Sequence, residues 1–398
     1  MTLKTIENLK VKGKVVLLRC DLNIPIDENG EILDISRIER LAPTVRYLSS
    51  KGAKIGLLSH FGRPNGKYDE SLSLAFICEC LAENLKAQEI TFIPDCVGKV
   101  VKQVLLDLEE GGVALLENVR FHQGEEINDL KFSKALAEVA DIYINDAFSV
   151  SHRKHSSVHR VTKYIPSYAG LAFQLEIEML EKVLKNAESP TMGIIGGSKV
   201  STKLSLINNL MKKMKYIAIG GGMANTFLAA KGIDIGSSFY EKNMLKEALQ
   251  IITKSEEVGC ELILPSDVVV ADKIEQGVES NNINIDKIGK SNMILDIGVK
   301  TVGQICNAVA LSKTLLWNGP LGVFEVPPFD QATSNCALTV AMLTRAGGLV
   351  SIAGGGDTVS ALNNAGASGG FSYVSVAGGA FLEWIEGKKL PGISVLNN

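Results

Sequence analysis

Two kinds of anion-binding residue lie in different halves of the chain. All five histidines fall between positions 60 and 159, interleaved with Arg63, Arg120 and Arg153. Two triple-glycine runs follow later, at 220–222 and 354–356. Cationic side chains hold small anions directly, whereas glycines let backbone N–H groups approach the phosphates or base of a nucleotide. The first half is therefore predicted to bind a compact acidic metabolite and the second a nucleotide, with a phosphoryl group passing between them.

The length and charge of the chain limit the classes of protein it can be. At 398 residues it exceeds the roughly 250–300 residues at which one hydrophobic core stops growing, so two domains are expected. Its net charge of −3 argues against nucleic acid or an anionic membrane as a partner, because either would need an excess of basic side chains. The arginines and histidines of the first half therefore indicate a specific site.

The cysteines and the first residues indicate a cytoplasmic protein. The seven cysteines are odd in number and include no Cys-x-x-Cys pair, so reduced thiols are expected and a disulfide scaffold or a zinc site is disfavoured. Residues 1–4 lead into no apolar signal core, and no later run approaches the roughly 20 apolar residues of a membrane helix. We expect a monomer that binds small molecules and neither nucleic acid nor membrane.

Short apolar runs alternate with longer stretches of helical spacing. Nine runs are predicted to be strands: Val15–Arg19, Lys54–Ser59, Val113–Leu116, Ile142–Ile144, Met192–Ile195, Tyr216–Ile219, Leu262–Leu264, Thr314–Trp317 and Leu349–Ile352. Continuous valine, isoleucine and leucine runs are typical of strands covered on both faces, and the helical stretches fit right-handed crossovers. The predicted fold class is α/β, with two doubly wound, Rossmann-like parallel-sheet domains joined by a helical hinge.

Polar or glycine-rich residues follow almost every predicted strand. They occupy 21–23, 59–64, 117–120, 145–148, 196–199, 317–320 and 354–358. Ligands of open parallel sheets bind beyond the carboxyl ends of the strands, so these segments are predicted to form the ligand sites. The domain boundary is expected within 168–190, where Leu171–Asn186 is predicted to be one helix and Ser189-Pro190 ends the connection.

Three glycine-rich segments of the second half are candidate nucleotide contacts. Gly196–Lys203 follows a strand, opens a helix and carries two lysines, with a solvated helix start as the alternative. Gly354–Thr358 adds Asp357, a carboxylate suited to nucleotide-bound Mg²⁺, with a tight turn as the alternative. The uncharged segment Gly220–Phe227 suits a base or ribose, or close packing of a strand on a helix. A Gly-x-x-x-x-Gly-Lys-Ser/Thr loop does not occur in the sequence.

Six cationic side chains of the first half are predicted to converge on one anion. They are His60, Arg63, Arg120, His152, Arg153 and His155. Each would be a surface residue more often than a ligand if considered alone, but together they follow separate strands whose carboxyl ends meet at one edge of a sheet. His122 and His159 are expected to be surface residues.

Ten ordered motifs, spread from one end of the chain to the other, resemble those of phosphoglycerate kinase. They are 19–25 (RCDLNIP), 59–64 (SHFGRP), 116–126 (LENVRFHQGEE), 145–157 (NDAFSVSHRKHSS), 196–203 (GGSKVSTK), 220–228 (GGGMANTFL), 264–271 (LPSDVVVA), 317–325 (WNGPLGVFE), 354–358 (GGGDT) and 386–392 (EGKKLPG). The resemblance implies a phosphotransferase of glycolysis and gluconeogenesis, with a carboxyl group as acceptor. Its reaction would be the reversible conversion of 1,3-bisphosphoglycerate and ADP into 3-phosphoglycerate and ATP.

The resemblance also implies where the substrate binds and where the domains lie. Substrate binding is expected at Asp21, Leu22, Asn23, Arg37, His60, Phe61, Gly62, Arg63, Arg120 and Arg153. The substrate domain is expected to comprise 1–170 and 379–398, the inter-domain helix and hinge 171–189, and the nucleotide domain 190–378.

The same resemblance implies a nucleotide site and a catalytic set. Nucleotide binding is expected at Lys203, Gly220, Gly221, Glu325, Gly355, Gly356, Asp357 and Thr358. Glu325 would contact the ribose hydroxyls, and Asp357 the Mg²⁺ that arrives with ADP or ATP. Arg37, Lys199 and Gly378 are expected to be catalytic. Arg37 and Lys199 would supply the positive charge that a metaphosphate-like transition state needs, and no general base is expected. Domain closure would bring the two substrates together.

Four positions, Val376, Ala377, Ile294 and Thr202, depart from the usual family pattern. Ser375-Val376-Ala377-Gly378-Gly379-Ala380 stands where Ser-Thr-Gly-Gly-Gly-Ala is usual, Ile294 where glycine is frequent, and Thr202 where aspartate is frequent. None of these changes removes a charged catalytic group. They bear on the hinge and on nucleotide affinity.

Two other functions are weighed against this one. A kinase of a different acyl phosphate, acting on acetate or an amino-acid carboxylate, would need fewer cations far from the transferred group, so Arg63, Arg120 and Arg153 count against it. A nucleotide-binding regulatory protein that has lost catalysis is disfavoured by the presence of Arg37, Lys199 and Asp357.

Overall fold

A computed structural model of the chain describes residues 3–87 and 89–397. The chain divides into two compact units, the first formed by Met1–Ile177 with Lys389–Asn398 and the second by Glu178–Lys388. The sequence predicts a connector at 171–189, and the first observed division, after Ile177, falls within it. The sequence also predicts that the chain returns to the first domain at 379, whereas the observed return is at Lys389, ten residues later. Among the described helices, none combines the length and the apolar character needed to span a membrane.

The first unit is built on a six-stranded parallel sheet. Its strands are β1 (Val15–Arg19), β2 (Lys54–Leu58), β3 (Ile90–Ile93), β4 (Val113–Leu116), β5 (Ile142–Asn145) and β6 (Ser167–Ala169). Its helices up to the division are α1 (Ser36–Ser50), α2 (Cys78–Leu85), α3 (Lys99–Asp107), α4 (Leu130–Glu138) and α5 (Leu171–Leu184), the last of which continues into the second unit. The strand order is β3-β4-β2-β1-β5-β6, so β1 lies at the centre.

The central strand β1 shows why its sequence does not alternate. Val15 and Leu17 belong to one buried cluster of the first unit, whereas Val16 and Leu18 belong to another. Both faces of the sheet are therefore covered, and a strand covered on both faces needs apolar residues at every position. The polar residue that ends the run, Arg19, is buried as well.

The second unit contains a six-stranded parallel sheet and a small antiparallel one. Its strands are β7 (Thr191–Ile195), β8 (Tyr216–Ile219), β9 (Glu261–Ile263), β10 (Asp267–Ala271), β11 (Asn281–Asn284), β12 (Met293–Ile297), β13 (Thr314–Asn318), β14 (Val350–Gly354) and β15 (Tyr373–Ser375). The parallel sheet has the order β15-β14-β13-β7-β8-β9 and the antiparallel sheet the order β11-β10-β12.

Seven helices of the second unit and one short helix of the first complete the fold. They are α6 (Leu204–Leu210), α7 (Gly222–Ala230), α8 (Leu245–Glu257), α9 (Val299–Leu311), α10 (Gln331–Arg345), α11 (Gly356–Asn364), α12 (Gly379–Ile385) and, in the first unit, α13 (Pro391–Ser394). All seven cysteines are free thiols.

The predicted fold class is confirmed, with additions that the sequence did not predict. All nine predicted strands are present in the two parallel sheets, with ends that differ by at most two residues. The sequence analysis missed β3, β6, β15 and the antiparallel sheet. The strand β3 is partly exposed at its middle residues, and β6 and β15 have only three residues each, so none of them forms a continuous buried apolar run. The predicted helix 171–186 ends two residues early, at Leu184.

The strand ends of the second unit pack backbone against backbone. Gly196, directly after β7, donates its N–H to the Asn318 carbonyl at 3.0 Å, and Gly197 donates to the Pro320 carbonyl at 3.1 Å. A Cβ atom on Gly196 would lie 1.8 Å from the Pro320 carbonyl oxygen. The loops after β7 and β13 can therefore approach each other only because residue 196 has no side chain.

We predict that Gly196→Ala lowers the melting temperature, because its Cβ would overlap a backbone atom that cannot rotate away. Overpacking of this kind costs about 1–3 kcal/mol or more. Gly303→Ala is the matched control, since a Cβ at this exposed position on α9 meets no atom within 4 Å and alanine favours a helix interior by about 1 kcal/mol. Gly303→Ala should melt at or above the wild-type temperature. Thermal unfolding followed by circular dichroism would contradict the packing argument if Gly196→Ala melted like the wild type.

Candidate functional site

The predicted substrate residues of the first unit lie where parallel strands end. Asp21 and Asn23 follow β1, His60 follows β2, and Arg120 follows β4. In the sheet β1 lies beside β2, and β2 beside β4, so these loops are neighbours at one edge. Arg37 comes from the first turn of α1.

Asp21 and Arg37 form an ion pair. Ser149 adds a hydrogen bond of 2.5 Å to the same carboxylate. Burial alone would raise the pKa of Asp21, but the charge of Arg37 and the hydrogen bond from Ser149 outweigh it and lower the pKa to about 2. Asp21 is therefore ionised at neutral pH and fixes the position of a guanidinium group that stays about one quarter exposed.

The geometry around His60 assigns its charge and its tautomer. His60 is buried, and its Nδ1 lies 3.2 Å from Nη2 of Arg19. A guanidinium group only donates hydrogen bonds, so Nδ1 must accept and the proton of the neutral ring must be on Nε2. Burial, followed by the charge of Arg19, lowers the pKa of His60 well below its usual value. His60 is thus a neutral hydrogen-bond donor at this site and not the cation that the sequence analysis predicted.

Arg19 is a buried cation that sequence analysis did not select. Its Nε donates to Ser157 Oγ at 3.0 Å. The hydroxyl of Ser157 donates to Glu125 Oε1 at 2.6 Å, and the Ser157 N–H donates to Oε2 at 2.9 Å. Glu125 is completely buried, and burial raises its pKa. Ser157 therefore links a buried guanidinium to a buried carboxyl group beneath His60.

A second set of hydrogen bonds holds the loop after β2. Arg120 Nη1 donates to the Gly62 carbonyl at 2.7 Å, and Gly62 N–H donates to Asn23 Oδ1 at 2.8 Å. Arg120 Nε also lies 3.3 Å from Glu126 Oε1. Burial and the charge of Arg19 lower the pKa of Arg120 to about 10, so Arg120 remains charged at neutral pH.

Two of the predicted substrate residues turn their side chains away from solvent. Leu22 and Phe61 are buried, and both belong to the core of the first unit. Their N–H groups already donate, to Ser59 Oγ at 2.9 Å and to Asn118 Oδ1 at 3.3 Å respectively. These two residues therefore fix the backbone of the loops that carry the charged groups.

The remaining cations predicted for the first unit differ in exposure and charge. Arg63 is exposed and Arg153 is half-buried, and Arg153 Nε lies 3.3 Å from His152 Nε2. Burial and the charge of Arg120 lower the pKa of His155 to about 3. His155 is therefore neutral and internal, which corrects its prediction as a cationic ligand.

The histidines predicted to lie at the surface are half-buried. His122 Nε2 lies 2.9 Å from Asp95 Oδ1, and its ring stacks on Phe132. His159 Nδ1 lies 3.4 Å from Asn128 Nδ2. Both have defined partners that the sequence gave no means to identify, because Asp95 precedes His122 by 27 residues.

In the second unit, Lys203 lies among three strand-end loops. Its Nζ donates to Asn318 Oδ1, and Asn318 Nδ2 donates to the Gly354 carbonyl at 2.6 Å. Burial lowers the pKa of Lys203 to about 8, against the opposing charges of Asp357 and Glu386. This ammonium group is therefore charged at neutral pH but close to its titration range.

The start of α11 is fixed by a glycine and a threonine. Gly355 has a φ of +103°, and a Cβ there would lie 2.6 Å from Asn318 Nδ2. Thr358 Oγ1 accepts from the Gly319 N–H at 2.7 Å and donates to the Gly354 carbonyl at 2.9 Å. Asp357, in the first turn, is exposed. Thr358 therefore orders the loop, while Asp357 is the side chain accessible to a ligand.

A cavity of about 410 Å³ adjoins these loops within the second unit. Its wall includes Gly221, Phe239, Ile294, Leu321, Glu325 and Asp357. Predominantly apolar cavities of this size with a few polar groups are typical small-molecule sites. Of the predicted nucleotide residues, Gly221, Glu325 and Asp357 line this cavity, whereas Lys203, Gly220, Gly355, Gly356 and Thr358 do not.

The predicted catalytic residues lie in different units. Arg37 belongs to the first unit, and Lys199 and Gly378 belong to the second. Lys199 is exposed on the loop between β7 and α6. Gly378 immediately precedes α12 with a φ of +53°, a conformation that glycine adopts without strain.

Comparisons with known proteins agree over the whole chain. The family model described as phosphoglycerate kinase matches residues 6–388. The phosphoglycerate kinase of Caulobacter sp. (strain K31) is 52% identical over 396 residues, and that of Rhizobium meliloti (strain 1021) 50% identical over 397; each alignment covers at least 99% of both chains.

Solved structures show the same likeness. A structure of phosphoglycerate kinase from Coxiella burnetii has a TM-score of 0.91 at 39% identity, and one from Pyrococcus horikoshii OT3 has a TM-score of 0.83 at 28% identity. Each alignment covers 99% of this chain and 98% of the other chain.

We predict that His60 stays neutral, with its proton on Nε2, at neutral pH and through the usual titration range of histidine, because burial and Arg19 oppose a second positive charge. Nitrogen-15 NMR of labelled histidine distinguishes the two tautomers and the charged ring, and His60→Gln identifies the resonance. A His60 signal that titrates near pH 6.5, or one with the proton on Nδ1, would contradict the assignment.

Proposed function

The chain belongs to the phosphoglycerate kinase family, and we propose that its first unit binds the phosphoglycerate substrate while its second unit binds ADP or ATP. Kinases of this family transfer a phosphoryl group in glycolysis. The proposed reaction is the reversible transfer between 1,3-bisphosphoglycerate with ADP and 3-phosphoglycerate with ATP. The observation that carries the assignment is that Asp21, His60 and Arg120 follow adjoining strands, and that Arg37 of α1 is held beside them by its ion pair with Asp21.

This set of donors suits 3-phosphoglycerate, which carries a phosphate and a carboxylate. Arg37 and Arg120 are guanidinium groups, and each is already held by a carboxylate, Asp21 or Glu126. Bidentate guanidinium groups match phosphate and carboxylate geometry. Exposed Arg63 and half-buried Arg153 are assigned to the phosphate that is not transferred. Asn23 and Gly62 orient the loop between these groups.

The second unit offers a nucleotide both an apolar wall and a phosphate site. The cavity beside Phe239 and Leu321 suits the base, with Glu325 at its wall for the ribose hydroxyls. The lysine Lys203 and the N-terminus of the nine-residue helix α11 supply positive charge and free N–H groups for phosphates. Gly220, Gly221, Gly355, Gly356 and Thr358 are assigned to the backbone that surrounds the nucleotide.

The residues present fit a magnesium ion that arrives with the nucleotide. Mg²⁺ is usually held by one or two carboxylates together with substrate phosphates and water, and Asp357 is an exposed carboxylate in the first turn of α11, electrostatically coupled to Lys203. When bound, the ion would neutralise charge on the phosphates. Asp357 is the residue assigned to hold it.

Transfer requires the reacting oxygens to come within about 3–3.5 Å of each other. We therefore propose closure of the two units about the connector 171–189 and the segment that ends at Gly378, with 1–170 plus 379–398 as the substrate domain and 190–378 as the nucleotide domain. Arg37 and Lys199 stabilise the negative charge of the transferring group, Gly378 leaves it room, and water is excluded. The enzyme is proposed to work as a cytoplasmic monomer.

A coupled ATP-forming assay tests the substrate assignment. The purified full-length chain should form ATP from ADP with 1,3-bisphosphoglycerate and not with acetyl phosphate. Equal rates with both acyl phosphates would indicate a kinase of a different acid. No ATP from either, with ADP binding intact, would indicate a nucleotide-binding protein without catalysis.

We predict that Lys199→Ala and Arg37→Ala lower kcat much more than they raise KM, because charge beside the moving phosphoryl group acts mainly in the transition state. By analogy with an arginine finger, the loss should be about 10³–10⁵-fold. Arg63→Ala and Arg153→Ala are comparison variants, which should mainly raise KM for the phosphoglycerate. Steady-state kinetics with unchanged kcat in Lys199→Ala or Arg37→Ala would remove that residue from its assigned role.

We predict that nucleotide affinity falls as the pH rises through about 8, the pKa of Lys203. The side chain is charged below its pKa and attracts phosphate, whereas above it the charge is lost, with a weakening of up to about tenfold per pH unit. Lys203→Arg stays charged throughout and should give a flat profile. Isothermal titration calorimetry with ADP should separate the two proteins, and parallel pH profiles would show that Lys203 does not bind phosphate.

We predict that Asp357→Asn raises the Mg²⁺ concentration needed for half-maximal rate, because a neutral amide is a weaker ligand than a carboxylate. Binding of metal-free ADP should change little. The measurement is a Mg²⁺ titration of the initial rate at saturating substrates. Superimposable curves for the wild type and the variant would reduce Asp357 to a residue of the helix start.

A further inference from the structure

A cluster of three potential metal ligands lies in the first unit, apart from the residues assigned to substrate. Asp95 and Cys96 follow β3, and His122 lies six residues beyond the end of β4, the neighbouring strand. One ligand atom from each residue lies within 4.8 Å of the other two. Asp95 Oδ1 and His122 Nε2 are 2.9 Å apart. Two neighbouring strand ends thus bring together a carboxylate, a thiol and an imidazole.

Each of the three groups is held in place by further contacts. The His122 ring stacks on Phe132 with centroids 4.7 Å apart. Asp95 Oδ1 accepts from its neighbours, the Cys96 N–H at 2.6 Å and the Val97 N–H at 3.3 Å. Such contacts fix the orientation of imidazole and carboxylate ligands before a metal binds.

The exposure of the cluster allows a small ion to reach it. The Cys96 side chain is buried, at 1% exposure, whereas the side chains of His122 and Asp95 are 32% and 49% exposed. An ion entering from solvent would meet the imidazole and the carboxylate first and would then contact the thiol behind them.

The electrostatic surroundings of the thiol favour a cation. The carboxyl groups of Asp95, Glu125 and Glu117 all lie near enough to Cys96 to act electrostatically on its thiol. A divalent cation would be attracted by these carboxyl groups, and the thiol proton would leave to the buffer on binding.

We propose that Asp95, Cys96 and His122 form a binding site for a thiophilic divalent cation of the zinc class. Thiolate, imidazole and carboxylate are the ligands that Zn²⁺ combines, whereas Mg²⁺ prefers oxygen alone. Ligand atoms around a tetrahedral zinc ion are about 3.4–3.6 Å apart. The Asp95 and His122 atoms must therefore separate by about half an ångström, with solvent at the fourth position.

The Cys-x-x-Cys criterion for zinc sites does not detect this cluster in the sequence. The absence of Cys-x-x-Cys argues against a zinc site in which two ligands come from one turn of chain. Here two ligands are consecutive and the third comes from the next strand of the sheet, so no short spacing joins all three. His122 also lies two residues beyond Arg120, so metal binding would cross-link the loop after β3 to the loop that carries Arg120.

Cobalt titration of the full chain, without nucleotide or phosphoglycerate, tests the proposal. Co²⁺ replaces Zn²⁺ in such sites and gives an intense thiolate-to-cobalt absorption band. We expect one Co²⁺ per chain with this band, displaced by Zn²⁺. Cys96→Ser should abolish the band, while Cys78→Ser, a control in the same unit, should retain it. No band in the wild type, or an unchanged band in Cys96→Ser, would overturn the proposal.

A second variant keeps the test valid if Cys96→Ser, which changes a buried residue, does not fold. His122→Gln changes a half-exposed side chain, and it should weaken Co²⁺ and Zn²⁺ binding by at least about tenfold with native circular dichroism. Zn²⁺ should raise the melting temperature of the wild type and of Cys78→Ser, but not that of His122→Gln. Equal stabilisation of all three proteins by Zn²⁺ would refute the site. Because no substrate is present, this outcome is independent of the kinase assignment.

Discussion

The first unit must hold several like charges close together before any anion binds. Arg19 is fully buried beneath His60, and Arg120 lies close enough for its pKa to fall. A buried charge is tolerated only with a compensating partner and satisfied hydrogen bonds. Glu125 supplies that partner through Ser157, and removing Glu125 alone would leave Arg19 uncompensated at a cost of about 3–5 kcal/mol. The rest of the site depends on this compensation.

The same constraint explains why His60 and His155 are not charged. Each additional proton would repel Arg19 or Arg120 in a region from which water is excluded, so His60 and His155 stay neutral. His60 then contributes direction through a hydrogen bond, while the arginines contribute charge. A pre-assembled set of this kind loses little energy to reorganisation when an anion arrives.

The second unit presents mainly backbone groups, and few cationic side chains, at the ends of its strands. Its strand-end loops are packed so closely that glycines are required at Gly196 and Gly355, and one half-buried lysine, Lys203, supplies charge among them. The proposed nucleotide would bring its own metal ion, so fewer protein cations would be needed there than at the proposed phosphoglycerate site. The two units therefore present different chemistry to their proposed ligands, although both use the edge of a parallel sheet.

Much of this arrangement could be predicted from the sequence, and the rest depends on contacts between distant residues. Nine strands were predicted correctly from continuous apolar runs such as 15–19 and 113–116, because such a run is typical of a strand that is buried on both faces. The partly exposed β3 gave no such signal. The link from Arg19 to Glu125 joins residues 106 positions apart, and the neutrality of His60 follows from burial that spacing alone does not reveal. For the same reason the sequence did not bring Asp95 and Cys96 together with His122.

Hydrogen–deuterium exchange of the full chain, with one ligand at a time, tests the division of binding between the units most directly. With 3-phosphoglycerate alone, protection should appear in peptides that cover 21–23, 60–63, 120 and 153. With ADP and Mg²⁺ alone, it should appear in 196–203, 220–222, 325 and 355–358. Protection of the glycine-rich loops by 3-phosphoglycerate, together with protection of the arginine-bearing loops by ADP, would contradict the assignment.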